Sequence, residues 1–355
     1  MSGRATVKNC LVMVCCLFSL PATAVTFNAF FDVVFESSDS AGKVSGFELG
    51  KLDLWGSHVL DEDRRIKAFF ELVIEESSIG DFKFEPERLW MEYAVNQQLK
   101  IRAGRFHTAL GYWNRTFHHG AHMQTSVFRP LFLEFEDEAL AMLPSHTVGV
   151  MVLANFKPAA GNLHLELQAG NGSYYDGVQL NPNSSGDVDN NKAIATRVVF
   201  SPDYFQGLGL GLSYYTSAVS EDSAGNIIKL VDQTIVAGEL SYNQNNTEII
   251  LEYFSINNED TAGISRTSTA WYAHGAYTIF DIWTPYVRYE TLEDIDLSDP
   301  YFNRLGTFRY EHAIFGVRYD LADNSSIKIE AMHMDIPAAV DSTVNSLRSQ
   351  WTLAF

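Results

Sequence analysis

The residues best suited to chemistry crowd into one stretch. Between 107 and 146 the chain reads HTALGYWNRTFHHGAHMQTSVFRPLFLEFEDEALAMLPSH, and His107, His118, His119, His122 and His146 are five of its ten histidines. Imidazoles at 118, 119 and 122 beside carboxylates suit zinc or copper, but their spacing is loose. Hydrogen bonding inside a loop that must pack without regular structure accounts for them equally well. Ser126 with His118 or His119 and Asp137 contains the groups of a hydrolase triad, yet a triad is defined by geometry that spacing alone does not supply. No catalytic, cofactor or metal set is therefore assigned, and the chain is not expected to be an enzyme.

The third use of these residues is electrostatic. Arg115 and Arg129 share the stretch with Glu134, Glu136, Asp137 and Glu138, while Arg88, Lys100, Arg102 and Arg105 lie on the segments leading into it. With His118 and His119 these are the candidates for lining a narrow aqueous passage. Carboxylates on the loop would face basic residues on a wall across the narrowest water, an arrangement that passes ions of both signs.

A loop of this length with no structure of its own is uncommon and usually functional, so its flanks matter. Before it, 88–95 and 99–106 alternate apolar and polar residues around the tight Asn96-Gln97-Gln98; after it, 147–154 alternates again. From Val25 the same period-two pattern puts Phe27, Ala29, Phe31, Val33 and Phe35 on one side and Thr26, Asn28, Asp32 and Glu36 on the other. It recurs near 47–56, 65–75, 163–170, 193–200, 208–215, 234–242, 248–254, 268–277, 283–290, 310–319, 325–333 and 347–355. The total of about sixteen strands is even, as an up-and-down transmembrane barrel requires.

Connections are expected to alternate: long near 37–46, 76–87, 107–146, 171–192, 216–233, 255–267, 291–309 and 334–346, short between them. That alternation suits short periplasmic turns and longer external loops, whereas a soluble β-sandwich requires no such regularity. Tyr242, Tyr277, Trp283, Tyr319 and Trp351 fall beside the short turns or near the C-terminus, as an interfacial aromatic girdle would. The last strand, LRSQWTLAF, ends on an aromatic residue and reads as the signal for the outer-membrane barrel assembly machinery.

Compartment follows from the N-terminus. Arg4 and Lys8, the apolar run from Leu11 to Leu20 and Ala22-Thr23-Ala24 read as an export signal over 1–24, cleaved to leave a barrel over 25–355. Cys10, Cys15 and Cys16 are the only cysteines, so the mature chain has no disulfide or thiolate site. Losing two basic residues takes the formal charge from -19 to -19 - 2 = -21, which disfavours nucleic acid as a partner. With 46% hydrophobic and 13% aromatic residues the chain is nevertheless too apolar for a disordered acidic one.

The stretch ERLWMEYAVNQQLKIRAGRFHTALGYWN (87–114), a strand, a tight turn and a strand ending in Gly-Arg-Phe before the long loop, resembles Gram-negative outer-membrane porins, most closely the phosphate-selective O/P-type group. The resemblance implies a barrel of about sixteen strands with its third loop folded into the lumen, embedded in outer-membrane lipid, passing small hydrophilic solutes or ions by diffusion, and forming a homotrimer. Those selective porins are similar in lining their pores with basic residues, and the EFEDE run departs from that, so phosphate selectivity is not carried over. The rival readings are a structural or adhesive outer-membrane barrel and, further off, a barrel hydrolase.

Overall fold

The computed structural model describes residues 25–355 except 41, 79–80, 118–119, 137–140, 183–185 and 338–342. The expected export signal, and His118, His119, Asp137 and Glu138 of the long loop, lie outside the described residues.

The first strands are β1 (Thr26–Ser38), β2 (Gly46–Val59), β3 (Ile66–Ser78), β4 (Asp81–Ala94) and β5 (Leu99–His107). After the long loop come β6 (His146–Phe156), β7 (Gly161–Asn171), the short β8 (Ser173–Tyr175) and β9 (Leu180–Pro182), and β10 (Lys192–Pro202). The chain continues through β11 (Leu208–Ser223), β12 (Asn226–Gln244), β13 (Thr247–Asp260), β14 (Ser265–Tyr277) and β15 (Trp283–Glu293). It ends with β16 (Tyr310–Ala322), β17 (Ser325–Asp335) and β18 (Thr343–Ala354).

All belong to one sheet of 18 strands, from which β8 and β9 stand apart as a small hairpin, so that β7 pairs directly with β10 and 18 - 2 = 16 strands form the ring. β18 pairs antiparallel with β1, from Phe30 opposite Ala354 to Ser38 opposite Ser346, and this closes the barrel. Closure is forced by lipid, because an open edge would leave a row of backbone N–H and C=O groups without water or partner.

Burial follows the period-two pattern. Leu89, Met91, Leu212, Tyr253, Val287, Phe315 and Trp351 are exposed on the outer face, while their neighbours Arg197, Glu239, Glu252, Arg288, Glu290, Lys328 and Glu330 are buried on the inner one. In isolation such charges would be costly to bury. Here they face the barrel interior, where Arg197 pairs with Glu239 and Arg288 with Glu290, and Glu252, Lys328 and Glu330 are hydrogen-bonded. The girdle residues lie where expected: Tyr277, Trp283 and Trp351 are exposed, and the Trp283 and Tyr319 rings sit 4.3 Å apart.

Three expected long loops are absent. At 255–267, β13 runs to Asp260 and β14 starts at Ser265, leaving a short turn. The region 76–87 is mostly strand, with β3 and β4 joined across residues 79–80 alone, and 216–233 is a hairpin turning at Ala224 and Gly225, both at positive φ. Beyond the lipid both sheet faces are wet, so the apolar alternation fades before the hydrogen-bond ladder does. β12, at 19 residues, is well beyond the 9–11 or so that cross a bilayer. On the opposite rim Asn245 and Asn246, both at positive φ, close β12 to β13 in a two-residue turn of the type that fits strand twist.

These rims set up a topology test. An epitope tag beside Asn190, in the connection between β9 and β10, should be reached by antibody on intact cells, and one at Gln97 should not; the reverse pattern would invert the orientation.

Candidate functional site

The long loop, 108–145, contains a four-residue helical turn (Trp113–Thr116) and a 3₁₀ turn (Leu131–Leu133). Most of its backbone must therefore find partners elsewhere. They are largely side chains of the strands' charged face. Glu252 on β13 accepts from the N–H groups of Tyr112 (2.5 Å) and Trp113 (3.0 Å) and from the Tyr272 hydroxyl. Glu330 on β17 accepts from Val127 N–H at 3.0 Å, and Glu290 on β15 from Leu131 N–H at 3.1 Å.

Cations serve the loop's carbonyls. Arg288 donates to Phe128 O (2.8 Å) and Arg129 O (3.3 Å), Arg318 to His122 O (2.7 Å), and Lys328 to Ala121 O and to Ser126 O (3.0 Å). Between these bonds the loop's apolar residues, Leu110, Trp113, Phe117, Phe132, Leu133, Met142 and Leu143, join Tyr215, Ile235, Phe254 and Tyr272 of the strands in one buried cluster. Tyr301 and Phe302 complete it from the short helix Pro300–Leu305, whose first turn is capped by Asp299. The inner wall over β11–β15 is thus covered by an apolar cluster.

The loop's root is held by charge. His146 lies between two carboxylates, Nδ1 3.0 Å from Glu136 and Nε2 2.9 Å from Glu87, so both ring nitrogens donate and the ring is an imidazolium. Glu136 also accepts from the backbone N–H groups of Ser145 and His146, each at 2.7 Å. Burial alone would raise the Glu136 carboxyl, but the charged His146 beside it holds it below its ordinary value of 4.5.

The remaining candidates divide between loop and wall. Arg115 pairs with Glu166 at 2.8 Å; Arg105 donates to Glu87 O at 2.8 Å; Arg129 stacks 3.9 Å over Phe135. Glu134 is half-buried and its carbonyl accepts from Ser145 Oγ. Glu136, turned into the loop's root, is buried away from water. On the wall Arg88 forks onto Glu71, and Arg102 and Lys100 both pair with Glu92, at 2.7 and 3.1 Å.

Of the triad and metal sets, only Ser126 and His122 fall among the described residues. Ser126 Oγ donates to Phe128 O and accepts from Arg288. His122 turns Nε2 to Asp323 O and Nδ1 to Thr352 Oγ1, and its burial keeps the imidazole below its ordinary value.

Sequence reading carried no signal that Glu252, Glu290 and Glu330 hold the loop. It also missed three aromatic residues on the inner face. Trp55, Phe69 and Trp90 stack in a row, with centroids 6.0 and 4.9 Å apart. Arg88 sits 4.6 Å over Phe69 and Arg102 3.8 Å over Trp90. The parity of Phe69 with Lys67 and Glu71 is the signal that could have found them.

Two outcomes follow. Glu252→Ala strips two amides and a hydroxyl of their acceptor, and should cost about 3 kcal/mol, read as a lower unfolding temperature and faster proteolysis within 108–145 while the β circular dichroism persists. The Glu136 anchor is present at neutral pH and is lost as pH falls through its lowered pKa, so loop proteolysis should accelerate only below pH 4.5, and Glu136→Gln should show that rate already at neutral pH.

Among curated protein sequences none matches this chain. Solved structures share its fold at low identity. The anion-selective porin from Comamonas acidovorans aligns at TM-score 0.63 and 13% identity over 94% of this chain and 99% of that one. OmpT of Vibrio cholerae, expressed in the outer membrane, aligns at 0.61 and 12% over 95% and 99%. The outer-membrane channel DcaP of Acinetobacter baumannii aligns at 0.60 and 10% over 93% and 97%. The family described as Gram-negative porin matches residues 11–337. With closure, an apolar outer face and a charged interior, this means that the chain belongs to the Gram-negative porin family and forms a passive channel in the outer membrane.

Proposed function

We propose that the loop 108–145 lies inside the barrel and narrows a water-filled lumen through which small hydrophilic solutes or ions diffuse, with no enzymatic step. One observation carries this reading: the loop's backbone is bonded to Glu252, Glu290, Glu330, Arg288, Arg318 and Lys328, all on the face turned away from lipid. A loop lying over the outer mouth would not reach side chains on so many strands.

On this reading the loop covers the β11–β18 side and leaves water along β2–β5. Arg88, Lys100 and Arg102 line that water, while Arg105, Arg115, Arg129 and Glu136 fix the loop. Glu134 faces the constriction, and His118, His119, Asp137 and Glu138, the other candidates for it, lie outside the described residues. The O/P-type kinship rests on the 87–114 stretch and implies no phosphate selectivity here. Assembly as a homotrimer, and recognition of β18 by the barrel assembly machinery, belong to the same reading; closed symmetry is the common state of such oligomers.

The dry cluster of loop and wall favours a second reading, a structural barrel whose interior is filled. Planar-bilayer recording separates the two: stepwise ohmic conductance is expected of a channel, and its absence from correctly folded, heat-modifiable protein would leave the structural reading. Crosslinking in native membranes should yield a trimer; monomer alone would remove that part.

A further inference from the structure

On the uncovered wall Arg88, Lys100 and Arg102 share two carboxylates, Glu71 and Glu92, and the two signs differ in depth. Arg88 keeps 26% of its side chain exposed where its partner Glu71 keeps 2%. Lys100 and Arg102 keep 42% and 15% where the Glu92 they share keeps 7%. The carboxylates lie against the sheet and the cations lie over them. This order is built in, because each guanidinium is stacked on an aromatic ring of the same wall, Arg88 on Phe69 and Arg102 on Trp90, and the rings are stacked on each other and on Trp55. A stacked guanidinium stays charged and is held in place.

Counting charges along the wall gives a balance close to neutral. What a solute meets is decided by which charges reach water, since a buried carboxylate acts through its partner and an exposed cation acts directly. Arg88 spends its Nε and Nη2 on Glu71, and other N–H groups of the same fork remain for a passing oxygen.

Resting on the channel reading above, we propose that Arg88, Arg102 and Lys100 make the wall of β3–β5 an anion-selecting surface, which passes small oxyanions and halides in preference to cations despite the acidic net charge of the chain. The surface is local. At the barrel seam the order is reversed, with Glu36 25% exposed against 17% for Arg348. Toward the rim bearing the β3–β4 connection, Glu48 is exposed as well. Charges at such a wide mouth are screened beyond about 8 Å at physiological salt, so the narrow wall sets the preference.

The test is the zero-current potential of the full-length protein in a planar bilayer under a KCl gradient. Wild type should give a chloride-to-potassium permeability ratio above unity. A variant removing each stacked guanidinium with the carboxylate it binds, Glu71→Gln, Arg88→Gln, Glu92→Gln and Arg102→Gln, changes no net charge and leaves Lys100 as the one cation of the three. It should nevertheless bring the ratio down toward unity, with flux of a neutral sugar into liposomes retained. A wild-type ratio at or below unity, or an unchanged ratio in that variant, overturns the inference while leaving the channel intact. Absence of any conductance overturns the channel reading instead, and the inference with it. Should the fourfold variant fail to fold, Lys100→Gln alone, at an exposed position, must lower the ratio; an unaltered ratio there also overturns the proposal.

Discussion

The described structure depends on carboxylates that hold backbone amides. A loop of almost forty residues with two short turns carries many N–H groups that no ladder takes up, and an unpaired amide away from water costs about as much as a lost hydrogen bond. Glu252, Glu290, Glu330 and Glu136 take up several of them, each from a different place in the chain. Burying these acids is tolerable because each accepts from two or more donors or lies against a cation, and in return each fixes the loop at one point. The aromatic cluster beneath the loop supplies attraction without direction; the carboxylates supply the direction.

That division explains what could be read in advance. The ring of sixteen strands was legible because lipid imposes a strict rule: one face apolar, the next residue turned inward, repeated until the sheet closes. Val25 to Glu36 obey it except at Phe30 and Val34, and 283–290 except at Tyr286. Where the rule stops, so did the reading. The hairpins joining β3 to β4, β11 to β12 and β13 to β14 run past the membrane, where both faces are solvated and nothing forces alternation, and they looked like loops.

The site was less legible, for a related reason. Parity assigns Glu252 and Arg88 to the interior equally and is silent about depth. One is sealed beneath Tyr112 and Trp113; the other keeps 26% of its side chain exposed. The difference arises from where the loop lies, and the loop's path is fixed by contacts 100 to 200 residues away in sequence, such as Gly111 with Ser213 or Val127 with Glu330. Glu136 is the clearest case. In sequence it belongs to an acidic run that invites an electrostatic role facing water, and in the fold it is bound to His146 and two backbone amides.

The seam carries a further consequence. β1 and β18, the strands farthest apart along the chain, complete each other, and Ala29 and Phe355 exchange backbone hydrogen bonds at the last step of the ring. Contacts of such sequence separation form late, because their loop-closure entropy must be overcome before they give anything back. Until β18 arrives, every earlier strand is half of an apolar surface with an open edge. The time between emergence of β1 and docking of β18 is therefore the period in which the chain is most exposed to self-association, and its length is set by the whole intervening sequence rather than by any single strand.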